Sequence, residues 1–448
     1  MSRTPDGPPP LSRNPLRLVK YVNDIRKDSI GFVGERFRLY GDMYYAPLGK
    51  TRLYVTRHPD HIREVLQTQG QKFGKTTTGN AARQLHRVLG DGLLNSNGEL
   101  WKRQRKLINP AFHKRRIESH ADAMVSATRE MVDGWADGEV VDVSRAMMEL
   151  TLRIVARILF DHDPAGETDA VAGAMRAFRD LLGTPALLPE WVPLPSIRRS
   201  KEALARMDDV VYGLIDERRR ATDLDERNDL LSALVSALDD GSGMSRKQLR
   251  DELLTLFLAG HETTSHALTW TLYLLSQDTE HRSAVATEAA SILEARAAKA
   301  DDFPALEFAG RCLDEGMRLY PPAYVISRTA LEDVEIGGYD IPKGAEVLVW
   351  IYHTHHDARW YPEPERFDPD RWLPEAVAAR PKMAYLPFGG GTRTCVGKHL
   401  ALMEARLILS TLAQHVELSL VAGHEVVKDP TVTLAPKHGM RMRVRRLH

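Results

Sequence analysis

The chain has little cysteine, no net charge and no early hydrophobic run. Its two cysteines, Cys312 and Cys395, exclude a disulfide framework, a four-cysteine zinc site and an iron–sulfur cluster held by cysteines alone. A structural thiol or a single thiolate remains. Lys plus Arg and Asp plus Glu number 61 each, so the formal net charge is +0 and no global field argues for nucleic acid. The opening MSRTPDGPPPLSRNPLRLVKYV lacks both the apolar stretch of about 7–15 residues and the small-residue cleavage site of a signal peptide. The sequence thus reads as cytoplasmic, with no membrane anchor. Internal repeats, low-complexity linkers and the strand–helix alternation that builds a parallel sheet are all missing.

What is present is a core-forming chain of 448 residues, 43% of them hydrophobic. Residues 1–12 are proline-rich and read as a flexible N-terminus, with one domain over 13–448. Alternation around Gly49-Lys50, through Tyr45, Pro47, Leu53 and Val55, predicts a hairpin followed by a helix from about His61. Helical periodicity then dominates: Trp101 to Phe112, Arg116 to Trp135, Val143 to Phe160, Ala172 to Leu182, Ser200 to Arg220, Arg246 to Ser276, His281 to Ala297 and Phe303 to Tyr320. PPAYVISRTALEDVEIGGYDIPKGAEVLVW changes character, with β-branched runs between Gly-Gly and Pro-Lys-Gly turns. A turn-rich coil leads to a last helix, Lys398 to His415, and a final hairpin. The fold class is mainly α with a small β region, in one large helical domain.

Several stretches carry chemistry. LTLFLAGHETTSHALTWTLYLLS (254–276) is an apolar helix with a polar plug, and burying such groups is costly unless they are satisfied. Spacing argues against a zinc site: Ser265 stands where His-Glu-x-x-His needs its second histidine, and His266 lies about 140° around the helix from His261. FGGGTRTCVG (388–397) fails as a dinucleotide loop, since Thr394 replaces the last glycine and no strand immediately precedes it. As a thiolate loop it fits, because its glycines let the backbone approach a flat ligand around Cys395, with Arg393 as a fork for a carboxylate. Cys312, among Leu313 and Met317 on a helix, reads as a small buried hydrophobe. Glu315 and Arg318 lie three apart on one helix face, and ELWKRQRKLINPAFHKRR concentrates basic residues behind Trp101.

Together these residues resemble the cytochrome P-450 family of heme-thiolate monooxygenases. Phe388, Gly391, Arg393, Cys395 and Gly397 meet the family's Phe-x-x-Gly-x-Arg-x-Cys-x-Gly pattern in full. Ala259-Gly260-x-Glu262-Thr263-Thr264, Glu315-x-x-Arg318 and Pro364-Glu365-Arg366-Phe367 follow in the right order. The resemblance runs from about Gly41 to the end. It implies heme b (iron protoporphyrin IX) with Cys395 as the iron ligand, a thiolate that favours O–O cleavage, and O2 as co-substrate. It further implies Trp101, Arg105, Arg328 and Arg393 as contacts to the heme carboxylates, and Phe388 and Gly397 beside the thiolate. Ala259 and Gly260 would face heme and O2, Thr263 and Glu262 would carry the proton delivery, and Glu315, Arg318 and Arg366 would form a structural triad.

The same resemblance assigns Leu93, Leu94, Ala323, Tyr324, Val325, Val432 and Thr433 to the substrate pocket. Most are apolar, so a lipophilic substrate is expected: a fatty acid, terpenoid or steroid-like molecule, hydroxylated or epoxidised. With no flavin or iron–sulfur module attached, electrons are expected from a ferredoxin or flavodoxin with its NAD(P)H reductase, docked on Lys102, Arg103, Lys106 and Lys398, and the protein is expected to be a monomer. A heme-based binder or sensor without turnover is the competing reading, and a peroxide-using heme-thiolate enzyme is another. Retention of the Glu262–Thr263 pair argues against both.

Overall fold

Asp142 and Asp161 show how local chemistry sets an element. The Asp142 carboxylate accepts from Ser144 N at 3.1 Å and Arg145 N at 3.4 Å, and Asp161 closes the helix with a left-handed φ of 50°. Val143–Phe160 is therefore helical over the span its periodicity predicts. The computed structural model describes residues 3–9, 23–25, 27–48, 51–77, 80–161, 195–224, 227, 229–236 and 244–447. The expected Ala172 to Leu182 helix and the Gly49-Lys50 turn lie outside them.

Among the described residues the longer helices are α1 Ser29–Tyr40, α2 Asn80–Leu89, α3 Gly98–Ile108, α4 Ala121–Asp133, α5 Val143–Phe160, α6 Pro195–Arg220, α7 Arg246–Gln277, α8 Thr279–Leu293, α9 Glu307–Leu319 and α10 Lys398–His415. The strands are β1 Met43–Leu48, β2 Thr51–Thr56, β3 Phe73–Gly74, β4 Val140–Asp142, β5 Ile326–Ala330, β6 Val334–Ile336, β7 Tyr339–Ile341, β8 Glu346–Val349, β9 Val416–Leu420, β10 Lys428–Pro430, β11 Leu434–Pro436 and β12 Arg441–Arg446. No described helix is long and apolar enough to cross a membrane.

The chain divides into two compact units, residues 1–76 with 314–395, and residues 77–313 with 396–448. The first is built on a five-stranded sheet in the order β1-β2-β8-β5-β3. Its β2–β8 pair is parallel and its other pairs antiparallel. β1 is an edge strand, where Pro47 removes no needed ladder donor. Residues 3–7 depart from the flexible N-terminus expected. Tyr45 N–H donates to Asp6 O at 3.1 Å, Asp340 N–H to Arg3 O at 2.9 Å, and Arg3 N–H to the Asp340 carboxylate at 2.7 Å. Backbone pairing, which composition does not reveal, holds them on the sheet.

The second unit is helical, with the small sheet β4-β12-β9 and the hairpin β10–β11. α7 starts at a capping box, in which Ser245 Oγ accepts from Gln248 N–H at 3.2 Å and Gln248 Oε1 from Ser245 N–H at 2.9 Å. It packs along α5, and Thr151 Oγ1 donates to His261 O at 3.0 Å. Trp270 Nε1 donates to Leu434 O of β11 at 2.8 Å.

Candidate functional site

In the sheet-bearing unit the thiol loop is shaped by a close backbone approach. A side chain on Gly391, whose φ is 69°, would meet Leu66 O at 1.7 Å, so only glycine fits there. Gly389 N–H donates to Leu386 O at 2.9 Å, Thr394 Oγ1 to Gly391 O at 2.8 Å, and Cys395 N–H to Phe388 O at 3.0 Å. These bonds fold Phe388 back to Cys395 and present the thiol. Cys395 is exposed, whereas Cys312 is fully buried.

Near this loop the unit gathers cations. Arg328, on β5, is buried, and Arg393 is half-buried. Burial holds the Arg328 guanidinium down to about 10, and burial followed by repulsion from Arg328 does the same to Arg393, also to about 10. Lys75 joins them: burial first, then the charges of Arg328 and Arg393, hold its ammonium down to about 7. Each group is pushed toward losing its charge, so desolvation and mutual repulsion prevail. A ligand with two carboxylates would reverse that balance, and the residues present therefore fit the carboxylate edge of a heme. The sequence reading named Arg328 and Arg393 but missed Lys75, because FGKTTTG offers no spacing signal.

The same unit holds Glu315 and Arg318, both fully buried, in a two-pronged pair with both contacts at 2.8 Å. Arg318 also donates to His355 O, Pro364 O and Arg366 O at 2.9, 2.7 and 3.1 Å. The expected third member needs correction. The Arg366 side chain is 65% exposed and faces Glu363 at 3.4 Å. Arg371 takes the place beside Glu315, with Nε at 3.4 Å and 10% exposure, and Trp372 Nε1 donates to the same carboxylate at 3.1 Å. Of the expected pocket residues here, Ala323 and Val325 are half-buried. Tyr324 instead packs in the core, its ring 5.8 Å from that of Trp350.

In the helical unit the middle of α7 resolves its polar plug locally. Thr263 Oγ1 donates to Ala259 O at 2.8 Å, Thr264 Oγ1 to Gly260 O at 3.0 Å, and Ser265 Oγ to Glu262 O at 2.8 Å. Satisfied this way, hydroxyls can sit inside an apolar helix. Ala259 is exposed, and Gly260 and Thr263 are half-buried, within an otherwise buried stretch, so the helix opens where Ala259 and Thr263 lie one turn apart. Thr263 commits its proton to the helix and keeps lone pairs to accept with. A side chain on Gly260 would meet Val155 of α5 at 3.1 Å, so a glycine here also lets the two helices pack closely.

Glu262 turns inward, accepting from Thr433 Oγ1 at 3.0 Å with His266 Nε2 at 3.7 Å. Burial raises its pKa, but His266, His261 and Thr433 outweigh that and hold it below the usual glutamate value. Thr433 was expected in the substrate pocket, and the structure gives its hydroxyl to this acid. Leu93, Leu94 and Val432 are each partly buried against a large apolar cluster that includes Leu152, Val155, Leu256 and Phe257. Trp101 and Arg105 lie one turn apart on α3, both half-buried, and Gly397 caps α10, accepting from Ala401 N–H at 2.9 Å.

The family model described as Cytochrome P450 matches residues 8–441. The chain is 36% identical over 406 residues to cyclooctatin synthase of Streptomyces melanosporofaciens, covering 88% of this chain and 87% of that protein. It is 35% identical over 391 residues to cyclooctat-9-en-7-ol 5-monooxygenase of the same organism, covering 86% and 84%. It is 31% identical over 411 residues to pentalenene oxygenase of Streptomyces avermitilis, covering 91% and 90%.

Proposed function

The chain belongs to the cytochrome P450 family, whose members carry heme b and use O2, and from that premise we propose that this monooxygenase oxidises a lipophilic terpenoid. Two relatives are named for a cyclic alkenol and for pentalenene, and the partly buried, apolar Leu93, Leu94 and Val432 suit such a substrate. Terpenoid is accordingly preferred to fatty acid or steroid-like molecule. The observation that carries the reading is the exposed Cys395 in a hydrogen-bonded loop, in the unit that gathers Arg328, Arg393 and Lys75.

When bound, heme supplies the activation of O2 at iron. Cys395 would ligate the iron, with Phe388 beside it. Arg328, Arg393 and Lys75 of the sheet-bearing unit would hold the carboxylates; for Trp101 and Arg105 that role is the one the family resemblance implies. Thr263 would accept and orient a hydrogen bond on the open face of α7, and Glu262 would carry protons toward it. The reductant is a separate ferredoxin or flavodoxin, for which Lys102, Arg103, Lys106 and Lys398, all exposed, offer a basic face whose attraction weakens as salt rises.

The test is optical. The reduced protein with carbon monoxide is expected to show the red-shifted Soret band of thiolate ligation, and Cys395→Ser to lose it. Cyclic terpenoids are expected to drive the ferric iron toward high spin. An unshifted carbon monoxide band in the parent would sink the thiolate assignment, and terpenoids that all leave the spin state unmoved would sink the substrate class.

A further inference from the structure

The two histidines of the α7 plug have different surroundings. His261 Nδ1 faces Phe257 O at 2.8 Å, and its ring lies 5.5 Å from that of Phe257; it is satisfied within its own helix. His266 is buried to 1% exposure and neither ring nitrogen has a hydrogen-bond partner among the described residues. Glu262, one turn earlier, faces it with Nε2 and Oε1 3.7 Å apart and both side chains below 5% exposure. Thr433 Oγ1 donates to that same Oε1 at 3.0 Å.

A buried imidazole with idle nitrogens and a buried carboxylate are each costly alone, and together they account for one another. A small rotation of either side chain brings Nε2 within hydrogen-bond reach of Oε1. Monooxygenation consumes two protons and two electrons as one oxygen atom goes to substrate and the other to water. A single buried acid that delivers protons must therefore be recharged within each turnover.

We propose that His266 recharges Glu262. In the imidazolium form its Nε2–H bond breaks as an O–H bond forms on Glu262 Oε1, leaving a neutral imidazole that regains its proton from solvent water. The Thr433 hydroxyl holds the carboxylate in the receiving position. His266 acts through Glu262 and is a positioning and relay residue. The inference rests on Glu262 being the proton carrier of the proposed monooxygenase.

The experiment uses heme-loaded protein, its loading checked by the carbon monoxide spectrum, with His266→Leu, the milder His266→Gln, Glu262→Gln and the His266→Leu/Glu262→Gln double variant. Infrared spectra of the ferrous carbon monoxide state are expected to show Glu262 ionised in the parent. A protonated-carboxyl band is expected in both His266 variants and absent from the double variant. Product formed per reducing equivalent is expected to fall by about ten-fold or more in each single variant, with a larger solvent isotope effect. The double variant is expected to fall no further, because the residues act in series. An unchanged carboxyl band, or losses that multiply in the double variant, would overturn the proposal. If the parent shows no coupled turnover, the monooxygenase reading fails while the infrared comparison still decides whether His266 sets the proton on Glu262.

Discussion

At the scale of single residues, the Glu315 cluster makes a sharp distinction between two arginines. Arg371 sits 3.4 Å from a fully buried carboxylate that also accepts from Arg318 and Trp372, so Arg371→Ala removes a buried partner and should cost about 3 kcal/mol or more. Arg366→Ala removes a side chain that is 65% exposed and should stay within about 0.5 kcal/mol. Thermal unfolding of the two variants against the parent tests this, and equal losses would restore Arg366 to the cluster. The sequence contains the reason for the misreading: Pro364-Glu365-Arg366-Phe367 and Pro369-Asp370-Arg371-Trp372 repeat one pattern of proline, acid, arginine and aromatic. Only packing chooses between them. Cys395 was legible because a glycine-rich loop is a poor home for a structural thiol. Lys75 was not, because its meaning comes from Arg328 and Arg393, hundreds of residues away in the chain.

At the scale of elements, α7 does more than carry the plug, since its first half straps the segment after α2. Asp91 N–H donates to the Asp251 carboxylate at 3.0 Å and Leu93 N–H to Glu252 at 2.9 Å, while Arg250 reaches Val88 O at 2.9 Å. A side chain on Gly92 would strike Thr255 Oγ1 at 2.1 Å, so the segment lies directly on the helix. Glu252→Leu should release the Leu93 amide at about 1–3 kcal/mol. Amide hydrogen exchange over residues 90–96 should then accelerate and KM for the substrate rise. Unchanged exchange there would show that the strap does not hold the segment. Element limits were readable where local chemistry sets them, as at Lys398–His415 and Val143–Phe160. The expected Arg116 to Trp135 helix splits into Lys114–Glu118 and Ala121–Asp133, although neither glycine nor proline stands at the break. Asp251 and Glu252 look in the sequence like ordinary solvated charges at a helix start, and their burial depends on what lies across from them.

At the scale of the whole molecule, a net charge of +0 hides charges stored in unusual places, and these shape stability against pH. Burial pushes Glu252 and Glu404 up to about 8, from an ordinary value of 4.5. Between those limits the folded chain holds protons that the unfolded chain releases, so each acid lowers stability as pH rises, by about 1.4 kcal/mol per pH unit. His355 acts oppositely and elsewhere. Burial, then the charge of Arg318, holds it down to about 3 from 6.5, so its contribution is lost as pH falls through that window. Lys75, held at about 7 against 10.5, adds stability as pH rises above 7, while glutamine variants of the two acids leave that contribution in place. The comparison between variant and parent therefore isolates the acids. Glu252→Gln and Glu404→Gln should match the parent in thermal midpoint near pH 4.5 and gain on it steadily toward pH 8, with the two gains adding because the residues share no partner among the described residues. Glu252→Gln keeps an acceptor for Leu93 N–H, so the gain reflects the charge and not the strap. A midpoint difference that stays constant from pH 4.5 to 8 would mean that these carboxyls ionise in the fold as they do in the unfolded chain.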